Sequence, residues 1–286
     1  MAKSARGSIR PRPHARERRH GAETTPGSPD RREIAYRRVG ETELGHVIWE
    51  VGSLGDFVHL IGRDTDTDLM FFRGHQRDWP LVPKLARVRR RETIEALEER
   101  MLATFKREAI PYLDYDPKTD WDWLALAQHH GVPTRLLDWT KNPLAALWFA
   151  VHEPAPDGVP HAVIWTYCPT EGEIIEDLDD TSPFDVDAPR LVEPRHVTLR
   201  IRAQTGAFTV HPYDEGREGT TGGFIALERD QRLRGELQKI LIPAETFTAF
   251  RYQLDRLGVN SATLYPDLDG LARHVEWSHT YSADEG

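Results

Sequence analysis

The sequence predicts a compact α+β domain whose first half is rich in helices and whose second half is rich in strands. In the first half, apolar residues recur with the spacing of one helical face, whereas the second half contains short apolar runs separated by turn residues. The 286 residues, of which 39% are hydrophobic, are enough to bury a substantial core. No run approaches the ~18 apolar residues that a membrane-spanning helix requires.

A basic tail is predicted to precede this domain, over residues 1–32. Residues 1–33 hold nine Lys and Arg against four Asp and Glu, a net +5 that leaves −14 for the rest of a chain whose total is −9. Because it has almost no large apolar side chains, the tail is expected to be disordered. It either contacts nucleic acid or an acidic partner, or has no specific role. The acidic body, 33–286, argues against a DNA-binding domain, because phosphate contacts need a basic face.

Capping residues and apolar spacing predict the helices of the first half, within 51–64, at 92–108, at about 121–130 and from residue 142 onward. Ser53 followed by Asp56 is a capping-box pattern. Asp120 is the expected N-cap of the third helix. Asn142 followed by Pro143 begins the fourth helix, whose apolar body indicates burial on most sides.

Short apolar runs predict five strands, at 69–75, 161–168, 197–211, 222–228 and 237–243. Two further helices are expected at about 245–257 and 269–277. Residues 171–187 contain eight acidic residues and no basic one, so we predict a solvated surface insertion there. The single cysteine, Cys168, excludes an internal disulfide and, with no signal-peptide segment at the start, indicates a cytoplasmic protein.

The segment HHGVPTRLLDWTKNP, residues 129–143, places many ionisable groups between two apolar helices. It is either a salt-bridged structural turn or an active site. Successive helical residues are ~100° apart, so His129 and His130 face different ways. His130 continues the apolar row and is expected in the core. His129 lies in the last helical turn, where the helix dipole favours a cation, and is the better candidate for chemistry.

Arg135 and Asp138 lie close enough in sequence to form an ion pair, which they would need if both were buried. In the structural interpretation this pair fixes the turn between two packed helices. In the functional interpretation Arg135 binds an anion, while Asp138 orients His129 or a substrate hydroxyl. No Ser or Cys nucleophile lies nearby, so a hydrolase triad is not indicated.

The segments FFRGH (71–75), AQHHGVPTRLLDWTKNPLAALWFA (127–150) and QTGAF (204–208), with LQKILIP and NSATLYPDLDGLA further on, resemble the FRG domain family. The family takes its name from a (F/Y)RG motif, to which Arg73 and Gly74 correspond. The resemblance covers about residues 47–276. In its longest block the residues that carry over are Gln128, His129, Gly131, Pro133, Thr134, Arg135, Asp138, Trp139 and Thr140. His130 stands where the family often has an aromatic residue.

The resemblance implies a bacterial or phage protein, and we interpret it as an enzyme on a nucleotide-like or other phosphorylated substrate. In this reading the catalytic residues are His129 and Asp138, and no metal is required. The ligand-binding residues are Arg73, Gly74, Gln128, Thr134, Arg135 and Gln204. Two alternatives stay open: a ligand-binding or sensor module without turnover, and an interaction protein whose motif is structural. Arg73, His129 and Asp138 lining one open pocket would favour the first two readings.

A weaker resemblance links the chain to ADP-ribosyltransferases of the arginine-serine-glutamate type. The segments FFRG (71–74), GAFT (206–209) and KILIP (239–243) follow the order of that family's motifs. The resemblance implies NAD as a candidate cofactor, with the FFRG arginine holding its phosphates. Lys239 stands where that family has its catalytic glutamate, so His129 and Asp138 would have to supply the chemistry.

Overall fold

The computed structural model describes residues 36–63, 69–113, 115–193, 206–213, 223–280 and 282–284. In these ranges helices pack against a nine-stranded sheet, which confirms the α+β class. The strands are β1 (Arg37–Glu41), β2 (Val47–Glu50), β3 (Phe71–His75), β4 (Leu136–Thr140), β5 (His161–Tyr167), β6 (Ile174–Ile175), β7 (Arg190–Val192), β8 (Gly206–Val210) and β9 (Leu237–Pro243). The predicted tail, 1–32, lies outside the described residues.

The described α-helices are α1 (Leu54–Ile61), α2 (Ile94–Ala109), α3 (Asp120–His129), α4 (Pro143–Val151), α5 (Phe247–Arg256), α6 (Ser261–Leu264) and α7 (Leu268–His279). None of them is long and apolar enough to cross a membrane. Ser53 caps α1 by accepting from the Asp56 amide, and Asn142 caps α4, as predicted. The predicted N-cap Asp120 is wrong. Thr119 caps α3 instead, in a reciprocal capping box with Asp122, so the helix starts one residue earlier.

The strand order is β1-β2-β9-β5-β3-β4-β8-β7-β6, so the sheet takes strands from both halves of the chain. β2 runs parallel to β9 and β6 parallel to β7, while the other neighbours are antiparallel. The predicted strand 237–243 is confirmed as β9, and β8 lies within predicted strand 197–211. The predicted strand 222–228 is wrong: its described part contains the start of a 3-10 helix, Leu227–Arg229.

The largest departure from expectation is β4, because no strand was predicted within the segment 129–143. After α3, Gly131 adopts a positive φ of 82°, and the chain then enters the centre of the sheet. The sequence LLDWT alternates between two environments, with Leu137 and Trp139 in one apolar cluster and Leu136 in another. This alternation buries β4 although it contains Asp138.

Helix α4 packs directly on β3, and Gly74 makes this close approach possible. An added Cβ at Gly74 would lie 1.8 Å from the carbonyl oxygen of Ala146 and 2.9 Å from the amide nitrogen of Ala150. No side chain fits between the two backbones there. The glycine of the RG dipeptide therefore sets the distance between helix and sheet.

Candidate ligand-binding site

A cavity of about 270 Å³ lies where β3, β4 and β8 meet the end of α3 and one side of α4. We call it the β3–β4 pocket. Its lining residues are Phe72, Arg73, Gly74, Gln128, His129, Asp138, Trp139, Thr140, Phe149, Gly206, Ala207 and Phe208. Five of the eight predicted site residues are among them. The pocket combines a polar side, built from Arg73, Gln128, His129 and Asp138, with aromatic walls.

The pocket is associated with a gap in the sheet. β3 and β4 pair in register at Phe72 and Thr140. Beyond that pair, the Arg73 side chain joins the two strands, with Nη1 donating to the carbonyl oxygen of Asp138 at 2.7 Å. The same Nη1 lies 3.5 Å from the Asp138 carboxylate. Arg73 thus links the two strands and places a positive charge at the pocket.

A chain of hydrogen bonds orients the Asp138 carboxylate. Gln128 Nε2 donates to Asp138 Oδ2 at 2.9 Å, and the Thr134 hydroxyl donates to Gln128 Oε1 at 2.7 Å. Thr134 is buried behind Gln128 and does not line the pocket, so its predicted role as a ligand contact becomes one of positioning. The Asp138 side chain remains 54% exposed, and its carboxylate can therefore meet a ligand.

Arg73 is oriented from its other side by His75. Arg73 Nε donates to His75 Nε2 at 2.7 Å, which requires His75 to be neutral with its proton on Nδ1. Burial lowers the pKa of Arg73, the Asp138 carboxylate opposes this shift, and the Arg87 charge adds to it. The guanidinium stays charged at neutral pH. Among the described residues, Arg73 Nη2 has no hydrogen-bond acceptor, so it is available to a ligand.

Arg87 is a second cation beside the pocket that the sequence interpretation missed. It is exposed, and its charge is close enough to lower the pKa of both Arg73 and His75. The 3-10 helix Lys84–Arg87 places it there, while Lys84 Nζ at the start of that helix donates to the Gly131 carbonyl at 2.7 Å. The signal was present in the sequence as RVRRR at 87–91, a basic run in an acidic body.

The prediction that four site residues converge on one cleft is wrong for Arg135. It is buried against α2, where Nε and Nη2 both donate to Glu98 Oε2, at 2.9 and 2.7 Å. Its Nη1 donates to the Pro183 carbonyl, and the ring of Phe184 covers the guanidinium at 4.8 Å. The predicted Arg135–Asp138 pair is therefore absent from the described structure. The partner is Glu98, and the acidic segment 171–187 covers the pair.

The structure agrees with the predicted position of His129 but not with that of His130. His129 is half-buried and lines the β3–β4 pocket, as its assignment to chemistry requires. His130 is exposed, so the expected core position is wrong. The reason is local: α3 ends at His129, and His130 as C-cap has φ −88° and ψ 11°, which removes it from the apolar face. Gln204, the remaining predicted ligand contact, lies outside the described residues.

Two buried histidines near the pocket make the fold sensitive to acid. Burial, with the charges of Arg73 and Arg87, lowers the pKa of His75 to about 2. Burial lowers the pKa of His211 to about 3 against the opposing charge of Asp230, and His211 Nε2 lies 2.9 Å from the Thr209 hydroxyl. Both rings are neutral when folded, whereas in the unfolded chain they gain protons below about pH 6.5.

We expect the free energy of unfolding to be unaffected by these two groups above about pH 6.5 and to fall as the pH drops below it. Each depressed pKa contributes a slope of about 1.4 kcal/mol per pH unit until the folded pKa is reached. Urea unfolding between pH 7 and 4 measures the slope. His211→Gln should reduce the slope of the free energy of unfolding against pH by about the contribution of one histidine. The exposed control His59→Gln should leave that slope unchanged. Equal slopes in all three proteins would contradict the assignment.

The three segments that resemble ADP-ribosyltransferase motifs lie on β3, β8 and β9. β5 separates β3 from β9, and β4 separates β3 from β8. Lys239 Nζ is 2.5 Å from the Asp78 carboxylate and 5.3 Å from the centre of the Trp165 ring. Lys239 is therefore held in an ion pair against an aromatic ring, and it supplies no carboxylate for transferase chemistry.

A larger cavity, of about 600 Å³, lies between the end of α4 and helices α5–α7, and none of the predicted site residues lines it. One of its arginines is already paired, since Arg251 Nη2 lies 2.6 Å from Asp284, and His274 Nδ1 lies 3.7 Å from Asp255. We assign the candidate function to the smaller β3–β4 pocket, because five of the predicted site residues line it.

A family model described as FRG domain matches residues 68–158, a range that includes β3, α3, β4 and α4. The matched range contains every residue that lines the β3–β4 pocket except the three from β8. A search of curated proteins and a search of solved structures with this chain each found no match.

Proposed function

We propose, from the FRG domain that this chain carries at residues 68–158, that the β3–β4 pocket binds a nucleotide-like ligand and that Asp138 and His129 act on it as acid and base. One observation carries the proposal. Arg73, His129 and Asp138 line a single open cavity, and they are not all consumed by buried mutual pairs. A half-exposed carboxylate and an arginine donor that converge in one cavity are the kind of polar groups that orient a bound ligand.

The walls and the volume of the pocket support this class of ligand. Phe149 and Phe208 contribute aromatic surface, and Trp139 is fixed by a hydrogen bond from its Nε1 to the Thr209 hydroxyl at 3.1 Å. Aromatic faces hold a planar base or nicotinamide ring by stacking. The volume, about 270 Å³, is just below the ~300–1,000 Å³ typical of small-molecule sites. It suits a nucleoside-sized group more than a whole dinucleotide.

The anionic part of the ligand is proposed to bind between Arg73 and Arg87. The pocket itself has one arginine and one aspartate, so its formal charge is balanced, and the extra positive charge comes from Arg87 at its side. Arg73 Nη2 supplies a donor with fixed direction, since His75 and Asp138 hold the rest of the guanidinium. A planar guanidinium binds phosphate oxygens with defined geometry.

The proposed chemistry is transfer or hydrolysis at the bond that joins the bound group to its leaving group. Asp138, oriented by Gln128, accepts the proton of an attacking water or hydroxyl as the new bond to oxygen forms. His129 donates a proton to the leaving group as the old bond breaks. Lys239 takes no part in this scheme, because Asp78 engages its ammonium group.

Arg73→Lys should abolish the thermal stabilisation that NAD, ADP-ribose or ATP gives to the wild-type protein, because lysine cannot reproduce the fixed donors. A ligand at about 100 times its Kd adds about 2.7 kcal/mol to the free energy of unfolding, so the shift is easy to detect. Arg107→Lys, on the exposed surface of α2, is the matched control and should respond like wild type. The absence of any shift in wild type with all three ligands would refute the proposal.

The same ligands decide between turnover and simple binding. Product formation by wild type that is lost in Asp138→Asn, with ligand binding retained, supports the acid–base roles. Binding by both proteins without any product would instead support the ligand-binding or sensor reading.

A further inference from the structure

A concentrated basic surface lies beside the β3–β4 pocket. Residues 84–91 carry five basic side chains and no acidic one. All five are exposed: Lys84, Arg87, Arg89, Arg90 and Arg91. The described body is otherwise acidic, since residues 34–286 have a net charge of −14. The overall charge therefore conceals a local face of the opposite sign.

A second arginine segment lies against the first. The Leu227 amide donates to the Leu81 carbonyl at 3.0 Å, and the Leu81 amide donates to Glu228 Oε2 at 3.0 Å. These bonds bring exposed Arg229 next to the basic run, and Arg90 and Arg229 line one open groove of about 470 Å³. We define the arginine ridge as Arg87, Arg89, Arg90, Arg91 and Arg229.

Within the described residues, the ridge arginines lack the internal partners that several other surface arginines have. In the described part of the chain, no ridge guanidinium makes a hydrogen bond or an ion pair with another residue. Elsewhere, Arg37 pairs with Glu50 at 2.7 Å, and Arg107 pairs with Glu108 at 3.0 Å. Clustered like charges without counter-charges repel one another, and a polyanion that spans them relieves the repulsion.

The segment that carries the ridge is joined to the elements of the pocket, since the Leu85 amide donates to the Thr134 carbonyl at 3.4 Å and Lys84 Nζ donates to the Gly131 carbonyl at 2.7 Å. Arg87, in this segment, is close enough to Arg73 and His75 to lower the pKa of both. Trp79 stands beside this junction. Its ring centre is 5.9 Å from that of His75, the guanidinium of Arg77 lies 5.4 Å from it, and 43% of the residue is exposed. An exposed tryptophan beside an arginine is a surface on which single-stranded bases can stack.

We infer that the arginine ridge binds the phosphate backbone of a single-stranded nucleic acid and leads one of its nucleotides towards the β3–β4 pocket. Backbone binding rests on the ridge alone, whereas the nucleotide in the pocket rests on the proposed function above. A single strand fits better than a duplex, because a paired base cannot enter a nucleoside-sized pocket without leaving its stack. The acidic net charge of the body argued against phosphate binding, but this local basic face can supply the phosphate contacts.

Fluorescence anisotropy of labelled 12-nucleotide RNA and DNA strands, titrated with the full chain at several salt concentrations, tests the inference. Wild type should bind, with log K falling linearly against log salt at about −0.7 per phosphate contact. The triple variant Arg89→Gln/Arg90→Gln/Arg91→Gln should reduce that slope by about 2 and weaken binding about tenfold or more at low salt. If the triple variant loses affinity for only the RNA or only the DNA, that nucleic acid is the one that the ridge binds.

The matched control is Arg38→Gln/Arg107→Gln/Arg256→Gln, which removes the same charge from exposed positions elsewhere. It should retain wild-type affinity. No binding by wild type, or equal loss in both triple variants, would overturn the inference, and so would equal affinity for anionic lipid vesicles. The ridge variant should keep the thermal shift with mononucleotides, and Arg73→Lys should keep most of the oligonucleotide affinity. The two readouts therefore separate failure of the ridge from failure of the pocket.

Discussion

Gly74→Ala should prevent folding or lower the free energy of unfolding by more than about 4 kcal/mol, a loss that few single substitutions cause. The added Cβ would lie 1.8 Å from the carbonyl oxygen of Ala146 in α4. Real atoms do not approach so closely, and both neighbours are backbone, so no side chain can rotate away. Either α4 must move off β3 or the strand must shift, and each opens the core where Ala145 and Ala146 are fully buried.

Urea unfolding followed by circular dichroism measures this loss. Gly52→Ala is the matched control, since its new methyl group would meet nothing within 4 Å, and it should stay within about 0.5 kcal/mol of wild type. A folded Gly74→Ala protein of near wild-type stability would show that the helix does not approach the strand as described. Gly74 was assigned to ligand binding, and the structure adds a packing role that explains why glycine follows arginine there.

The elements that could be predicted from the sequence are those whose ends depend on nearby residues. Ser53 and Asn142 cap their helices through side chains that reach two or three residues along the chain. Strand 237–243 ends in the apolar run Ile240–Ile242 followed by a proline. The missed strand β4 shows the limit. Its charged neighbours suggested a turn, and only the sheet partners β3 and β8 on either side explain its burial.

Within the candidate site, the sequence indicated which residue types matter better than it indicated their partners. Arg73, His129 and Asp138 do share a pocket. The expected partner of Arg135 was three residues away, whereas the actual one, Glu98, is 37 residues away on another helix. Partners so distant in sequence are chosen by packing, which no local pattern encodes. Arg87 belongs to a basic run that is visible in the sequence, but only the fold brings its charge close to Arg73.

Arg135→Met should lower the free energy of unfolding by about 3–5 kcal/mol, because it leaves the Glu98 carboxylate buried without its partner. The two side chains are only 6% and 3% exposed, so water cannot replace the lost bonds. Glu98 also accepts from the backbone amide of Arg135 at 3.1 Å, which ties α2 to the start of β4. The loss should therefore loosen the segment that carries Asp138.

The double variant Glu98→Gln/Arg135→Met should recover about 2 kcal/mol or more of that loss, although it contains one more substitution. Glutamine removes the unpaired charge and keeps an oxygen acceptor for the backbone amide of residue 135. Arg100→Met, which breaks the exposed pair between Arg100 of α2 and Glu92 just before that helix, should cost at most about 1 kcal/mol. Urea unfolding of wild type, Glu98→Gln, Arg135→Met and the double variant gives the coupling directly. If the double variant were as unstable as the sum of its single changes, buried charge would not be what makes Arg135 essential, and the contact with Phe184 would be the remaining explanation.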